Sequence, residues 1–474
     1  MGHYFSSPKD RAQPLPKNDA ADVSSEDSAP CSPSTASGPG HPFLIRAKGN
    51  YLYLDNGQRI IDGCGGAAVA CIGHGRKDVV KALTAQAKKF AYVSWAHFEN
   101  EPAQKLSDWL INSTGGRMSK VYIMSSGSDA VEGAMKLARE YFLWTGEPQR
   151  VNFISRDESY HGTTIGSLSL SGHVARRGPF EPVLLQNRHR VSACNPYRQR
   201  LAGEPDDDFV ARKRDELAQK FLELGPETVA AVIMEPVVGA ALGCAPAVPG
   251  YLKAVQQVCH EHGALLILDE VMCGMGRTGT LHAWEQEGVV PDLQTVGKGL
   301  GGGYQPAAAL LVGERVARVM EASGKTFTHG HTYQNHPVVA AAALKVQQII
   351  KEENLLANVG AQGRHLESLL RQRLGDHPNV GDIRGRGLFW AVEFVRDKGT
   401  REPFDPGMQV ALRVQKRAQK QPHNVLVYQG QGCAGGGRGD HIMIMPAYNA
   451  DAGVIEEIVG GVVSAIEAVF EESS

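Results

Sequence analysis

Cysteine is sparse and unpatterned in this chain. Eight residues, Cys31, Cys64, Cys71, Cys194, Cys244, Cys259, Cys273 and Cys433, are scattered without one Cys-x-x-Cys pair. That spacing argues against a structural zinc site, and the low count against a disulfide framework. Free thiols in a reducing compartment are the plain expectation. No apolar run approaches the ~20 residues of a membrane span. Charge of one sign is also missing: the formal net charge is -2 over 474 residues. So small a balance argues against nucleic acid or an acidic membrane surface as main partner. Residues 1–40 contain few large apolar side chains but much Ser, Pro, Ala and Asp, which predicts a disordered tail. They lack the apolar stretch of a secretory signal. Asp19, Asp22, Glu26 and Asp27 are out of place in a mitochondrial presequence, and the final Glu472-Ser473-Ser474 is not a peroxisomal address. A cytoplasmic location is expected.

What is present reads as a large globular protein. Apolar residues make up 42% of a chain long enough for two lobes or more, and 54 glycines point to many close backbone approaches. Tyr51 to Leu54 and Arg59 to Asp62 predict a hairpin with Asn56-Gly57 at its turn. From Glu101 onward, helix and strand patterns alternate. A helix is expected over Ser128 to Phe142 and a strand over Val151 to Ser155. Val229 to Met234 and Ala264 to Leu268 are short continuous apolar runs, as in strands buried on both faces of a parallel sheet. The polar stretch Arg188 to Asp215 reads as a peripheral insert. A long Ala-rich helix should follow Pro337, and an amphipathic one should cover Val454 to Phe470. Alternation of this kind implies an α/β fold with a mostly parallel central sheet flanked by helices.

Four stretches carry chemistry. The run ending in Asp269-Glu270 puts two acids at the end of a buried strand, where open α/β sheets bind ligands. A buried carboxylate needs a positive partner or it takes up a proton. A protonated pyridine nitrogen is such a partner, and the pairing strengthens the ring of pyridoxal phosphate (PLP) as an electron sink. Asp269 reads equally well as a cap for the following loop. Lys298 lies between Gly297 and Gly299 after a short strand, in a loop with room for a bulky ligand. Burial lowers the pKa of a lysine and readies it for a Schiff base, although a lone loop lysine is more often simply solvated. Rival phosphate loops fit poorly. Asp292 and Gly299 stand where a Walker A loop needs glycine and a hydroxyl residue. Gly-x-Gly-x-x-Gly begins at Gly274, Gly297 and Gly430, never directly after a strand in an early βαβ unit. Ser126, Gly127 and Ser128 follow a short strand, Val121 to Met124, and open a helix. Such a start is an anion site and, alternatively, a plain N-cap. Tyr160 follows the strand at 151–155, where an aromatic side chain stacks on a ring or fills a core.

These pieces, in this order, resemble the class III aminotransferases of PLP fold type I, from about Phe43 to the end of the chain. The matching stretches are Ser126 to Ala130, Ser159 to Gly162, Glu235-Pro236, Leu268 to Val271 with Gly276 to Gly279, Gly297 to Gly299, and His331 to Tyr333. The order and spacing from Asp269 to Lys298 are the most specific. The resemblance implies that Lys298 holds PLP and shuttles a proton, and that Asp269 pairs with the pyridine nitrogen. It implies Val271 and Tyr160 on the two ring faces, Ser126, Gly127 and Ser128 at the phosphate, and Glu235 in support near the ring. Thr332 would reach the phosphate from a partner subunit, which implies a homodimer with the active site at its interface. It further implies a large PLP-binding domain at 98–336 and a smaller α+β domain built from 41–97 and 337–474.

The departures bear on substrate. The amino-acid-specific branch often carries a glutamate where this chain has Ala240, and the stretch Arg438 to Ala447 looks like the amine:pyruvate branch. Arg438 is a candidate keto-acid anchor, and equally an exposed arginine in a glycine-rich loop. Tyr92, Trp95 and Phe98 are candidates for an aromatic substrate wall, or for core. The expected reaction is ping-pong transfer of an amino group between an amine or ω-amino compound and a keto acid such as pyruvate. The alternatives are another PLP reaction on the same scaffold (decarboxylation, aminomutation, epimerisation or phosphate elimination) and a non-catalytic protein that kept the fold.

Overall fold

The computed structural model describes residues 42–472. The expected disordered tail at 1–40 lies outside the described residues. Of these, residues 44–472 form one compact unit.

Strands β1 (Leu44–Lys48), β2 (Tyr51–Leu54) and β3 (Arg59–Asp62) form an antiparallel meander. The β2–β3 turn closes as the sequence predicts, with Gly57 at φ 82°. The central sheet holds β4 (Met118–Met124), β5 (Asn152–Arg156), β6 (Arg188–Val191) and β7 (Val229–Met234). A short ribbon, β8 (Val237–Val238) and β9 (Ala245–Pro246), precedes its remaining strands, β10 (Leu265–Asp269), β11 (Leu293–Val296) and β12 (Ala308–Gly313). Their spatial order is β4-β12-β11-β10-β7-β5-β6. Neighbours from β11 to β6 are parallel, and β12 alone runs against both of its neighbours. Every residue of β7 and β10 is buried, which explains their continuous apolar runs.

Arg188 to Asp215 differs from the expected peripheral insert. Its first residues are β6, the edge strand of the central sheet, and its last belong to the helix Asp206–Leu224, which buries Phe209, Leu217 and Phe221. An edge strand pairs on one side and keeps polar side chains, so its sequence hides its role. The helix Gly127–Trp144 starts where Ser126 Oγ accepts from the Asp129 amide at 3.1 Å, and Pro337 opens the helix Pro337–Glu352.

Beyond the central sheet, β13 (Val380–Arg386) pairs with β14 (Phe389–Phe394), and three strands follow later in the chain. These are β15 (Val425–Leu426), β16 (Tyr428–Gln431) and β17 (Asp440–Ile444), with the order β13-β14-β17-β16 in a second antiparallel sheet. β15 instead pairs in parallel with β3, so the two ends of the described chain share one small sheet. The helix Ala452–Glu471 covers the expected C-terminal amphipathic segment and buries Ile455, Ile458, Val462 and Ile466. Among the described residues no helix is long and apolar enough to cross a membrane.

Candidate active site

A cavity of about 530 Å³ opens at the carboxyl edge of the central sheet. Ser125 to Ser128 follow β4, Tyr160 to Gly162 follow β5, Glu235 follows β7, and Asp269 ends β10 with Val271 just beyond. Lys298 follows β11. Because β12 is reversed, its leading residues Pro306 and Ala307 come to the same edge. Segments far apart in sequence meet because parallel strands all end on one side.

Asp269 is buried with three donors. Thr295 Oγ1 donates to Oδ1 at 2.9 Å, the Val271 amide donates to Oδ1 at 3.1 Å, and His161 Nδ1 lies 2.8 Å from Oδ2. These contacts orient the carboxylate at the strand end. With Nδ1 donating, His161 Nε2 is left buried without a hydrogen-bond partner. Glu235 is also buried. It accepts from the Tyr160 amide at 3.0 Å and the Gly239 amide at 2.9 Å, and so ties the aromatic loop to the β8 turn. Burial pushes its carboxyl above the usual range, and the charge of Asp269 adds to that.

Lys298 has φ 41°, in the left-handed region that residues with a Cβ seldom adopt. Such a conformation is characteristic of residues held for function. Burial lowers its pKa, against the opposing pull of Asp269 and Glu235. A larger share of neutral amine is what a nucleophilic lysine needs.

The glycines of the site leave room for specific neighbours. A Cβ on Gly127 would come within 2.7 Å of Val271 Cγ1, and one on Gly297 within 3.2 Å of the same atom. The Ser128 hydroxyl accepts from the Thr163 amide at 3.0 Å, which links the helix start to the Tyr160 loop. Ala240 lies in the cavity wall and brings no charge.

The remaining sequence-predicted residues lie elsewhere. Tyr92, Trp95, Phe98 and Thr332 do not line this cavity within one chain. The Tyr92 hydroxyl donates to the Thr332 carbonyl at 3.0 Å, and Trp95 Nε1 to the His331 carbonyl at 3.0 Å. These side chains gather on the surface, with Phe98 65% and Tyr333 60% exposed. Arg438 is exposed and lines a separate cavity with Glu158, Arg198 and Arg401. Sequence reasoning left Thr295 and Met272 out of the site altogether and read His161 only as part of a motif. His161 meets Asp269 across 108 positions, and no local pattern announces that contact.

Comparison with known proteins decides the family. Residues 34–466 match the model of the class III aminotransferases. An aminotransferase of Gibberella zeae is 50% identical over 426 residues, 89% of this chain and 83% of that protein. The chain is a class III aminotransferase. A thermostable (S)-enantioselective omega-transaminase from Thermomicrobium roseum superposes with TM-score 0.84 at 34% identity, covering 91% of this chain and 93% of that one. An amine transaminase from an uncultivated Pseudomonas species, solved with PLP bound, has TM-score 0.84 at 32% identity, covering 95% of this chain and 100% of its own. This aminotransferase is therefore PLP-dependent, as its family is. Three features of its cavity fit that cofactor: the glycine cradle at Gly127, the oriented carboxylate of Asp269, and the unpartnered His161 Nε2.

Proposed function

We propose that this aminotransferase moves an amino group from an amine or ω-amino compound to a keto acid such as pyruvate, in a ping-pong cycle. The observation that carries the assignment of the site is the convergence of Lys298, Asp269 and the Ser126–Ser128 helix start on one cavity. Bound PLP supplies a carbonyl that exchanges with amines and a ring that accepts electron density. The chain's own groups do the rest. Lys298 Nζ holds the cofactor and moves a proton at the reacting carbon. Burial lowers its pKa and so favours the neutral amine that can accept that proton. Asp269, fixed by Thr295, Val271 and His161, pairs with the ring nitrogen. Tyr160 and Val271 pack on the ring, Ser126, Gly127 and Ser128 hold the phosphate at the helix start, and Glu235 braces the Tyr160 loop.

The active unit in this reading is a homodimer. Exposed Tyr92, Trp95, Phe98 and Tyr333 form the kind of aromatic patch that a partner subunit covers. Thr332 of each chain then reaches the phosphate of the other site, and the three aromatics of 92–98 form part of a substrate wall. Residues 98–336 act as the PLP-binding domain. Segments 41–97 and 337–474 act together as a smaller one, a division supported by the pairing of β15 with β3. A cytoplasmic location accords with seven buried free cysteines.

The decisive experiment is spectroscopic. Purified protein should show visible absorption that borohydride bleaches, and Lys298→Ala should abolish transamination. Substantial turnover by that variant would overturn the assignment of Lys298. An amine should discharge the visible band, and pyruvate should restore it.

A further inference from the structure

We propose that Arg176, which stacks on the cavity-lining Tyr160, is the group that binds the substrate carboxylate. This rests on the aminotransferase reading of the same cavity and names the anchor that reading requires. Arg176 lies in the short helix Val174–Arg177. Its guanidinium sits 4.7 Å from the centre of the Tyr160 ring, and Tyr160 lines the cavity. Nη2 also approaches the Tyr428 hydroxyl at 3.5 Å. Tyr160 and Tyr428 are therefore positioning residues that hold the guanidinium beside a wall residue of the cavity.

The other cations near the site are already engaged. Arg156 donates to the Glu235 carbonyl at 2.6 Å, Arg177 pairs with Glu181 at 2.9 Å, and Arg277 is buried against the Leu388 carbonyl at 2.9 Å. Arg438 faces a different cavity. Arg176 makes no ion pair with a carboxylate among the described residues; its hydrogen bond from Nη2 to Tyr428 is a long one, which a ligand carboxylate can replace. Its charge also reaches Lys298, where it favours the neutral amine.

The position suits an enzyme with two unlike substrates. A keto acid brings a carboxylate, whereas a simple amine brings none. A buried arginine left unpaired in the amine step would be costly. Arg176 is exposed and stacked on a tyrosine face, so it stays solvated when no carboxylate is present. Ala240 in the cavity wall offers no acid to compete for it.

The test uses the holoenzyme with Arg176→Ala, Arg176→Lys and Arg438→Ala. Reamination of the amino-loaded enzyme is followed with pyruvate and with propanal, an aldehyde that has no carboxylate. Arg176→Ala should lower kcat/KM for pyruvate at least tenfold, mainly through KM, and change the propanal value less than threefold. Inhibition by propionate, an unreactive carboxylate, should weaken by a similar factor. Arg176→Lys should lie between wild type and alanine, because lysine keeps the charge and loses the fork. Equal losses with both acceptors, or none with either, would overturn the proposal. So would a selective pyruvate loss from Arg438→Ala instead. A wild-type enzyme inert to both acceptors would overturn the proposed amine-to-pyruvate function, and this proposal with it.

Discussion

Gly127 shows how much one missing methyl group decides. It opens the helix Gly127–Trp144, where many small residues would serve for helix formation alone. Its neighbour is what excludes them: an added Cβ would press on Val271 Cγ1 at 2.7 Å. Gly127→Ala should therefore push Val271 into the ring-binding space while leaving the fold intact. The expected cost is about 1–3 kcal/mol of overpacking, borne by the cofactor. Equilibrium dialysis of PLP should show binding weaker by about fivefold to a hundredfold, with the melting temperature of the apoprotein nearly unchanged. Asp269 makes the same point with charge. Its sequence context announces an acid at a strand end. Its geometry is set by Thr295 and His161, which no spacing rule links to it.

At the scale of elements, strands β7 and β10 were legible because their runs are apolar on both faces, and the helix starts because Ser126 and Pro337 mark them. The edge strand β6 was not, since one free side relaxes the demand for apolar residues. Gly430, which begins a Gly-x-Gly-x-x-Gly pattern, has a packing role: it sits opposite His441 in the β16–β17 pairing and leaves space for the imidazole. That histidine is fully buried in β17, and burial, helped by the nearby charge of Arg384, pushes its pKa down to about 3. A group depressed in the folded state binds its proton more readily when unfolded. Stability is then full above the ordinary value of 6.5 and falls as pH drops toward 3. The slope from one such histidine is about 1.4 kcal/mol per pH unit. Urea midpoints at pH 7 and pH 5 should differ less in His441→Gln than in wild type. The expected change in that difference is on the order of 2 kcal/mol. His282, pushed down to about 4 by burial, leaves a residual slope of the same sign.

At the scale of the molecule, the proposed homodimer is built on the aromatic surface at 92–98 and 331–333. Tyr92 meets Tyr333 edge-on at 6.0 Å, and both are largely exposed in one chain. A charge buried in such a patch is costly to desolvate. Tyr333→Asp should shift the enzyme from dimer to monomer in sedimentation at micromolar concentration. Its specific activity should then rise with protein concentration as dimers re-form. A variant that remains dimeric with full activity would remove this surface from the interface.

The sequence by itself determined the class of fold and singled out Lys298 and Asp269 as candidates. Those features rest on short local patterns: a buried run ending in an acid, a lysine between glycines, and a helix start built from small residues. The tertiary structure decided which side chains face one another. His161 on Asp269, Val271 above Gly127, and Arg176 over Tyr160 are contacts between segments brought together by the order of strands in a sheet. Strand order is a property of the whole packed sheet and leaves no trace in the spacing of residues along the chain. For the same reason the sequence leaves Arg438 open as an anchor or an exposed loop arginine, and nothing in it points to the stacking of Arg176 on Tyr160.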